Sequence, residues 1–432
     1  MTKFIKHLLA IFIFSFAVTS AKAQFIQVKE GRFVLNSKPY NYIGANYWYG
    51  GLLGGKGDTT KGKQRIRQEL DFMKKNGITN LRILAGAEGQ GIINGIERVN
   101  PALQPEKGVF DENVMKGLDF LLYEMGKRGI YAVIYLSNNW EWSGGFLQYL
   151  NWNGQLDIST LRKKPTWDEQ RDYTSKFYKC EQCIEDYKKQ VNYVITRVNT
   201  YTGKPYVNDK TIMAWELANE PRPMRPESID YYTAWIKGVT EMIKAKDKNH
   251  LVTIGTEGSI GTENSDQLYE QIHASKNVDY LTIHIWPKNW KWFADNRIAE
   301  GMPYIIANTN KFINRNSPAA IHLKKPLVIE EFGLPRDNHS YEPTATTKYR
   351  DKYFQTIFEL IAKSKLKGGV LAGCNFWAFG GVARPVKNQL FWKEGDDFMG
   401  DPPMEEQGLN TVFDSDQTTW MLIKKYANIL SK

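Results

Sequence analysis

Apolar residues gather along this chain in short runs, and between the runs they recur at helical spacing. Runs at 42–49, 80–84, 131–136, 212–215, 251–255, 280–286, 327–330 and 369–378 are each bounded by polar or glycine-containing segments, the pattern of buried strands. Stretches at 61–76, 114–128, 171–201, 228–246, 298–314, 346–363 and 420–430 carry helical periodicity. Gly77 and Gly129 stop the first two. In 228–246, Tyr232, Trp235, Ile236, Val239 and Ile243 share one face. Strands alternating with helices predict a parallel sheet, and eight such units predict one closed (β/α)8 barrel of the TIM type, an α/β fold. Residues 25–38 alternate loosely around the turn pairs Glu30-Gly31 and Asn36-Ser37. They predict a small N-terminal hairpin capping one barrel end. Residues 380–410 have weak periodicity and are too long for a plain connection, which predicts a substrate-facing loop after strand eight. No linker, repeat or second module interrupts the chain, so residues 24–432 read as one domain.

The first residues change the picture of where the chain works. Lys3 and Lys6 precede an apolar stretch at 8–18 and a small-x-small site, Ala21-Lys22-Ala23. Residues 1–23 therefore read as a secretory signal peptide cut before Gln24. An uncleaved anchor is the weaker reading because the apolar stretch is short. Removing three lysines and no acid lowers the formal net charge of +10 by three. Acids and bases interleave elsewhere, which argues a solvated surface and no nucleic-acid partner. Of 3 cysteines, Cys180 and Cys183 form C-x-x-C; in an exported protein a local disulfide is the leading reading. A zinc site would need a second pair. Cys374, in the apolar LAGCNFWAF, reads as a buried free thiol. The 6 histidines form no ligand-spaced pair, so no metal or cofactor is expected.

Chemistry on a parallel barrel is done at the carboxyl ends of the strands. Those ends carry Asn46, Tyr47 and Trp48; Arg82; Asn138, Asn139 and Trp140; Asn219 and Glu220; Glu257; His284 and Trp286; Glu330 and Glu331; and Trp377. Two strand-end acids far apart in sequence are what glycoside hydrolysis requires. A content of 13 Trp and 23 Tyr fits sugar stacking as well as core packing.

The motifs WELANEPRP, VIEEFG, NLRIL, HIW and NFWAFGG together resemble glycoside hydrolase family 5 over nearly the whole mature chain. NNWEWSGG, NEPRP, HIWPKNW and GDPPMEEQGLNTVFDSD are similar to its endo-β-1,4-mannanases rather than its cellulases. The resemblance implies Glu220 as acid/base and Glu331, which precedes Phe332-Gly333, as nucleophile. It implies Asn219 at the sugar 2-hydroxyl, His284 in the acid/base network, Trp377 as the stacking floor and Arg222 on the leaving-group side. Asn46, Trp48, Arg82, Asn139, Trp140 and Trp286 complete the expected substrate-binding set. Strand alternation would send only one of Glu330 and Glu331 into the pocket. Arg82 is expected to hold the Glu331 pKa low, and the Glu331 charge to raise that of Glu220. Trp286 stands where many relatives carry a tyrosine bonded to the nucleophile; an indole donates but cannot ionise. The implied activity is that of a secreted, retaining, monomeric endo-β-1,4-mannanase acting on mannan, glucomannan or galactomannan without a membrane span. An endo-β-1,4-glucanase on the same scaffold and a non-catalytic glycan-binding barrel remain alternatives.

Overall fold

The eight apolar runs become eight parallel strands: β1 (Tyr42–Asn46), β2 (Asn80–Leu84), β3 (Tyr131–Tyr135), β4 (Ile212–Glu216), β5 (Leu251–Thr253), β6 (Leu281–Ile285), β7 (Leu327–Phe332) and β8 (Leu371–Phe376). The computed structural model describes residues 25–432 except 56, 158 and 160–164. The expected signal peptide and its cut before Gln24 lie outside the described residues. Nearly every strand residue is buried, as in parallel sheets covered on one face by helices and filled by side chains on the other. The strands pair in the order β5-β4-β3-β2-β1-β8-β7-β6. The last seam, β5 against β6, closes without a strand ladder. Val252 N donates to Asp279, Thr253 Oγ1 to the Tyr280 carbonyl and Thr282 Oγ1 to the Thr256 carbonyl.

Three expectations are corrected. The N-terminal cap is a three-stranded antiparallel meander (Gln27–Lys29, Arg32–Leu35, Lys38–Pro39), not a hairpin. Both of its turn pairs sit in the left-handed region (Glu30 φ 50°, Gly31 74°; Asn36 51°, Ser37 64°), so each makes its own two-residue turn. Phe33 packs edge-on against Tyr280 and plugs the amino end of the barrel. The single long helix expected at 171–201 is broken into Trp167–Ser175, a tight turn at Lys176–Lys179, and Glu181–Ile195. Cys180 is extended there, and its sulfur caps the second helix while bonding covalently to Cys183. Cys374 is the buried free thiol. Strand seven runs to Phe332 with a register shift against β6, so that His284 faces Glu331 and Glu330 is the extra residue. A bulge re-aims side chains. Both acids therefore reach the barrel axis and mouth, and simple alternation does not separate them.

Candidate active site

At the carboxyl end of β4 the chain turns sharply. Asn219 N donates to the Ser137 carbonyl and Glu220 N to that of Gly255, tying the turn to the loops after β3 and β5. Glu220 sits at φ 52°, a left-handed conformation that costs a non-glycine residue on the order of 1 kcal/mol. Such strain persists where neighbours over-determine it. It aims the carboxyl of Glu220 at Trp140, whose Nε1 donates to Oε2 at 2.6 Å, and at His284, whose Nδ1 lies 2.7 Å from Oε1.

Glu331 is held by donors on both oxygens. Arg82 Nη1 reaches Oε1 at 2.6 Å and Trp286 Nε1 reaches Oε2 at 3.1 Å. Trp286 therefore supplies the donor that the sequence left open. Oxygen and nitrogen atoms of Glu220, His284 and Glu331 lie within 4.8 Å of one another. That is the one ligand-like grouping among the described residues. Its carboxylates are already engaged by Arg82 and two indole N–H groups, so the arrangement is that of an acid pair rather than of a cation site.

Arg82 is fully buried and is the hub beneath the pair. It makes two bonds to Glu216 (2.6 and 2.8 Å), one each to Asn46 and Asn219 (3.0 and 2.8 Å), and stacks on Tyr135. Glu216 and Tyr135 were not singled out from the sequence. Glu330, also fully buried, accepts from Tyr280 and lies 3.9 Å from both Arg82 Nε and His284 Nε2. It supports the site from below. Glu257 accepts from Arg222, and burial, with the charge of Glu220 adding to it, raises its pKa.

The expected substrate contacts divide into two groups. Trp140, Asn219, Arg222, His284, Trp286 and Trp377 gather around the acid pair. Asn219 spends one amide hydrogen on Asn138, and an amide carries two. Trp377 packs edge-on to Trp286, and its Nε1 has no protein partner. Arg82 and Asn46 are buried behind the acids; Asn46 Nδ2 bonds the Glu330 carbonyl. Asn139 is buried with neither amide atom paired, while its neighbour Asn138 does the positioning. Trp48 is a correction: it is fully buried, and its Nε1 donates to the carbonyls of Met399 and Gly400. It anchors a loop and leaves no face for substrate.

That loop is the segment after β8. Asp401 accepts from the backbone of Gly408, Asn410 and Thr411 and from the Thr411 hydroxyl. Glu406 takes Lys288 of the β6 loop at 2.5 Å and Tyr341 of the β7 loop at 3.0 Å. Glu394 bonds Asn100 and, through its backbone N–H, Glu97. The segment thus bridges the mouth from the β1 and β2 side to the β6 and β7 side. Glu405, on the same loop, makes no hydrogen bond through its carboxyl among the described residues. Burial and the charges of Asp401 and Glu220 push it up to about 8.

Burial pushes both Glu220 and Glu331 up, and for Glu331 the charge of Glu220 adds to it. Arg82 is outweighed, which corrects the expectation of a low Glu331 pKa. Two buried carboxyls this close titrate as a pair. The groups around each decide which of the two holds a proton more readily. Glu331 meets a guanidinium and an indole, both donor-only. Burial pushes His284 down to about 4, so its ring is neutral. With its proton on Nε2, on the side of Glu330, its Nδ1 is free to accept from Glu220 whenever that carboxyl is in its acid form.

The model of the family described as GH family 5 beta-mannosidase-like matches residues 23–432. Mannan endo-1,4-beta-mannosidase 2 of Arabidopsis thaliana is 30% identical over 84% of this chain and 79% of its own length. Mannan endo-1,4-beta-mannosidase 7 of the same plant is 31% identical over 82% and 77%. The glycoside hydrolase family 5 mannosidase of Rhizomucor miehei superposes with a TM-score of 0.83 at 32% identity, covering 94% of this chain and 97% of that one. The endo-beta-1,4-mannanase of Thermotoga petrophila superposes with a TM-score of 0.63 at 26% identity, covering 91% and 78%. This chain belongs to the β-mannosidase-like proteins of glycoside hydrolase family 5.

Proposed function

We propose that this chain is a retaining β-1,4-mannan hydrolase in which Glu331 attacks the anomeric carbon and Glu220 first protonates the leaving oxygen, then activates water. The observation that carries the reading is the spacing of the two carboxyls, whose facing oxygens lie within 4.8 Å. Retaining enzymes hold their carboxyls roughly 5–5.5 Å apart, and inverting ones leave room for a water between them. Asn219 would hold the 2-hydroxyl with its spare amide hydrogen, and Trp377 would lie under the sugar. Among the curated relatives, the names mannan endo-1,4-beta-mannosidase support a mannan backbone over a glucan and support internal cleavage. One observation favours a second reading, release of single mannose units from a chain end: the loop after β8 is pinned across the mouth, by Glu406 to Lys288 and Tyr341 and by Glu394 to Asn100. The product ladder from linear mannan decides between them. Internal cleavage gives a spread of oligosaccharides early; end-wise cleavage gives mannose alone. Activity on carboxymethylcellulose without activity on mannan would sink both in favour of a glucanase.

Trp286 gives a pH prediction. Its N–H favours the carboxylate form of Glu331, and the acid limb of kcat/KM reports that ionisation. Trp286→Phe removes the donor and raises the Glu331 pKa, so the acid limb moves to higher pH while kcat/KM falls roughly 10- to 100-fold. An acid limb left in place in a folded variant would show that the indole is only a wall.

We also propose that the protein is exported and works as a monomer. Residues 1–23 support export through their signal-peptide pattern. N-terminal sequencing of exported protein should begin at Gln24; retention of residues 1–23 would contradict this. The most exposed large apolar side chains, Ile92, Ile321, Leu366 and Met421, come from separate elements, which supports a monomer. Among the described residues no helix is long and apolar enough to cross a membrane.

A further inference from the structure

We propose that Trp167 is a binding platform for sugar units on the leaving-group side, at least one residue beyond the bond that is cut. Trp167 is the one tryptophan among the described residues that is exposed, at 51%. Large aromatic surface is normally withdrawn from water, so a held but open indole calls for an occupant.

It is held. Trp167 opens the helix Trp167–Ser175, which begins with a capping box between Thr166 and Glu169. Arg171 of that helix donates to the Met224 carbonyl at 2.6 Å, and Arg225 pairs with Asp172 at 2.7 Å. Both bonds clamp the helix to the segment that directly follows Glu220.

It is also continuous with the acid pair. Trp140 donates to Glu220 and lies 6.2 Å from Trp167, ring centre to ring centre. The guanidinium of Arg222 stands over both rings, 5.4 Å from Trp140 and 5.6 Å from Trp167. The acid that protonates the leaving oxygen marks the leaving-group side. The path Glu220, Trp140, Arg222, Trp167 therefore runs outward along that side and ends in solvent. The loop after β8 is tied to Asn100, Lys288 and Tyr341, and among the described residues it makes no hydrogen bond or ion pair to Trp140, Arg222 or Trp167. A β-1,4-linked mannosyl ring presents axial C–H bonds on one face, which suits stacking on an indole, and its hydroxyls suit Arg222 as donor.

This inference rests on the mannan-hydrolase reading, and the experiment separates the two. The kcat/KM of wild type and Trp167→Ala is measured on mannobiose and on mannohexaose. The ratio of the hexaose value to the biose value should fall roughly 3- to 10-fold in the variant, through KM, because only the longer substrate spans the platform. Trp167→Phe should restore part of the ratio. An unchanged ratio in a folded Trp167→Ala protein would overturn the platform while leaving the hydrolase reading standing. A wild-type protein inactive on every mannooligosaccharide would overturn the hydrolase reading, and the platform with it.

Discussion

Glu331→Ala is expected to abolish turnover of every β-mannoside, including aryl mannosides whose leaving groups need no acid. Among the described residues Glu331 and Glu220 are the acids that face each other across the mouth, and Glu220 has the other role. Glu220→Ala should behave differently. On mannan it should lose roughly 10²- to 10⁴-fold, the usual contribution of a positioned acid/base. With an activated aryl mannoside, glycosylation needs little protonation, so the intermediate forms and then accumulates for want of a base. Azide should restore turnover of Glu220→Ala and yield a β-mannosyl azide, because a small anion entering the vacated space attacks from the original leaving-group side. Azide acting on Glu331→Ala would give the α-azide from the opposite face. Both variants keep the Arg82–Glu216 pair, so both should remain folded. Full mannan activity in both would dismiss the glycosidase reading.

The second large effect is on stability. Arg82→Met should cost roughly 3–5 kcal/mol at neutral pH, the usual consequence of leaving buried charge without its partner. Arg82 is the countercharge of Glu216 and Glu331 and lies near Glu330. Burial already raises the pKa of all three acids in the folded protein. Without the guanidinium they rise further. The folded state then binds more protons than the unfolded chain, and stability falls as pH climbs past the ordinary carboxyl range. The deficit of the variant in urea unfolding should therefore be larger at pH 7 than at pH 4. Adding Glu216→Gln should recover part of it, since one unpaired charge is removed at nearly constant volume. A deficit independent of pH would mean that Arg82 acts through packing alone.

Much of this site was legible because its residues close short apolar runs. NLRIL places Arg82 as the one charged residue inside β2, while WELANEP places Glu220 and HIW places His284 at strand ends. Glu216 carries a signal of its own. It interrupts the apolar run of β4, and a buried acid needs a buried base, which Arg82 inside NLRIL offers. The bulge that brings both Glu330 and Glu331 inward was not legible, because it depends on how β6 and β7 slide past each other. The fate of Trp48 was hidden for a similar reason. Its partners are carbonyls about 350 residues away, and nothing in a strand-end tryptophan distinguishes a sugar platform from a loop anchor. Length, weak periodicity and the GDPPMEEQGLNTVFDSD motif mark the segment after β8 as special; its bridging course is set by Asp401 and Glu406, whose partners leave no local pattern. Helical periodicity begins only at residue 171, four residues after Trp167, and it runs on through Cys180 without marking the break there.

If Glu331 is the nucleophile of a retaining reaction on β-mannosides, it carries the sugar as an ester between the two steps. A 2-deoxy-2-fluoro-β-mannosyl fluoride traps that ester. The fluorine at C2 destabilises the positively charged transition states and slows both steps, while fluoride leaves readily enough for the first step to proceed. Time-dependent inactivation is expected, with the 2-fluoromannosyl group found by peptide mapping as an ester on Glu331. A label on Glu330 would contradict the assignment within β7, and an enzyme that is never labelled while it still cleaves mannan would contradict the covalent mechanism itself.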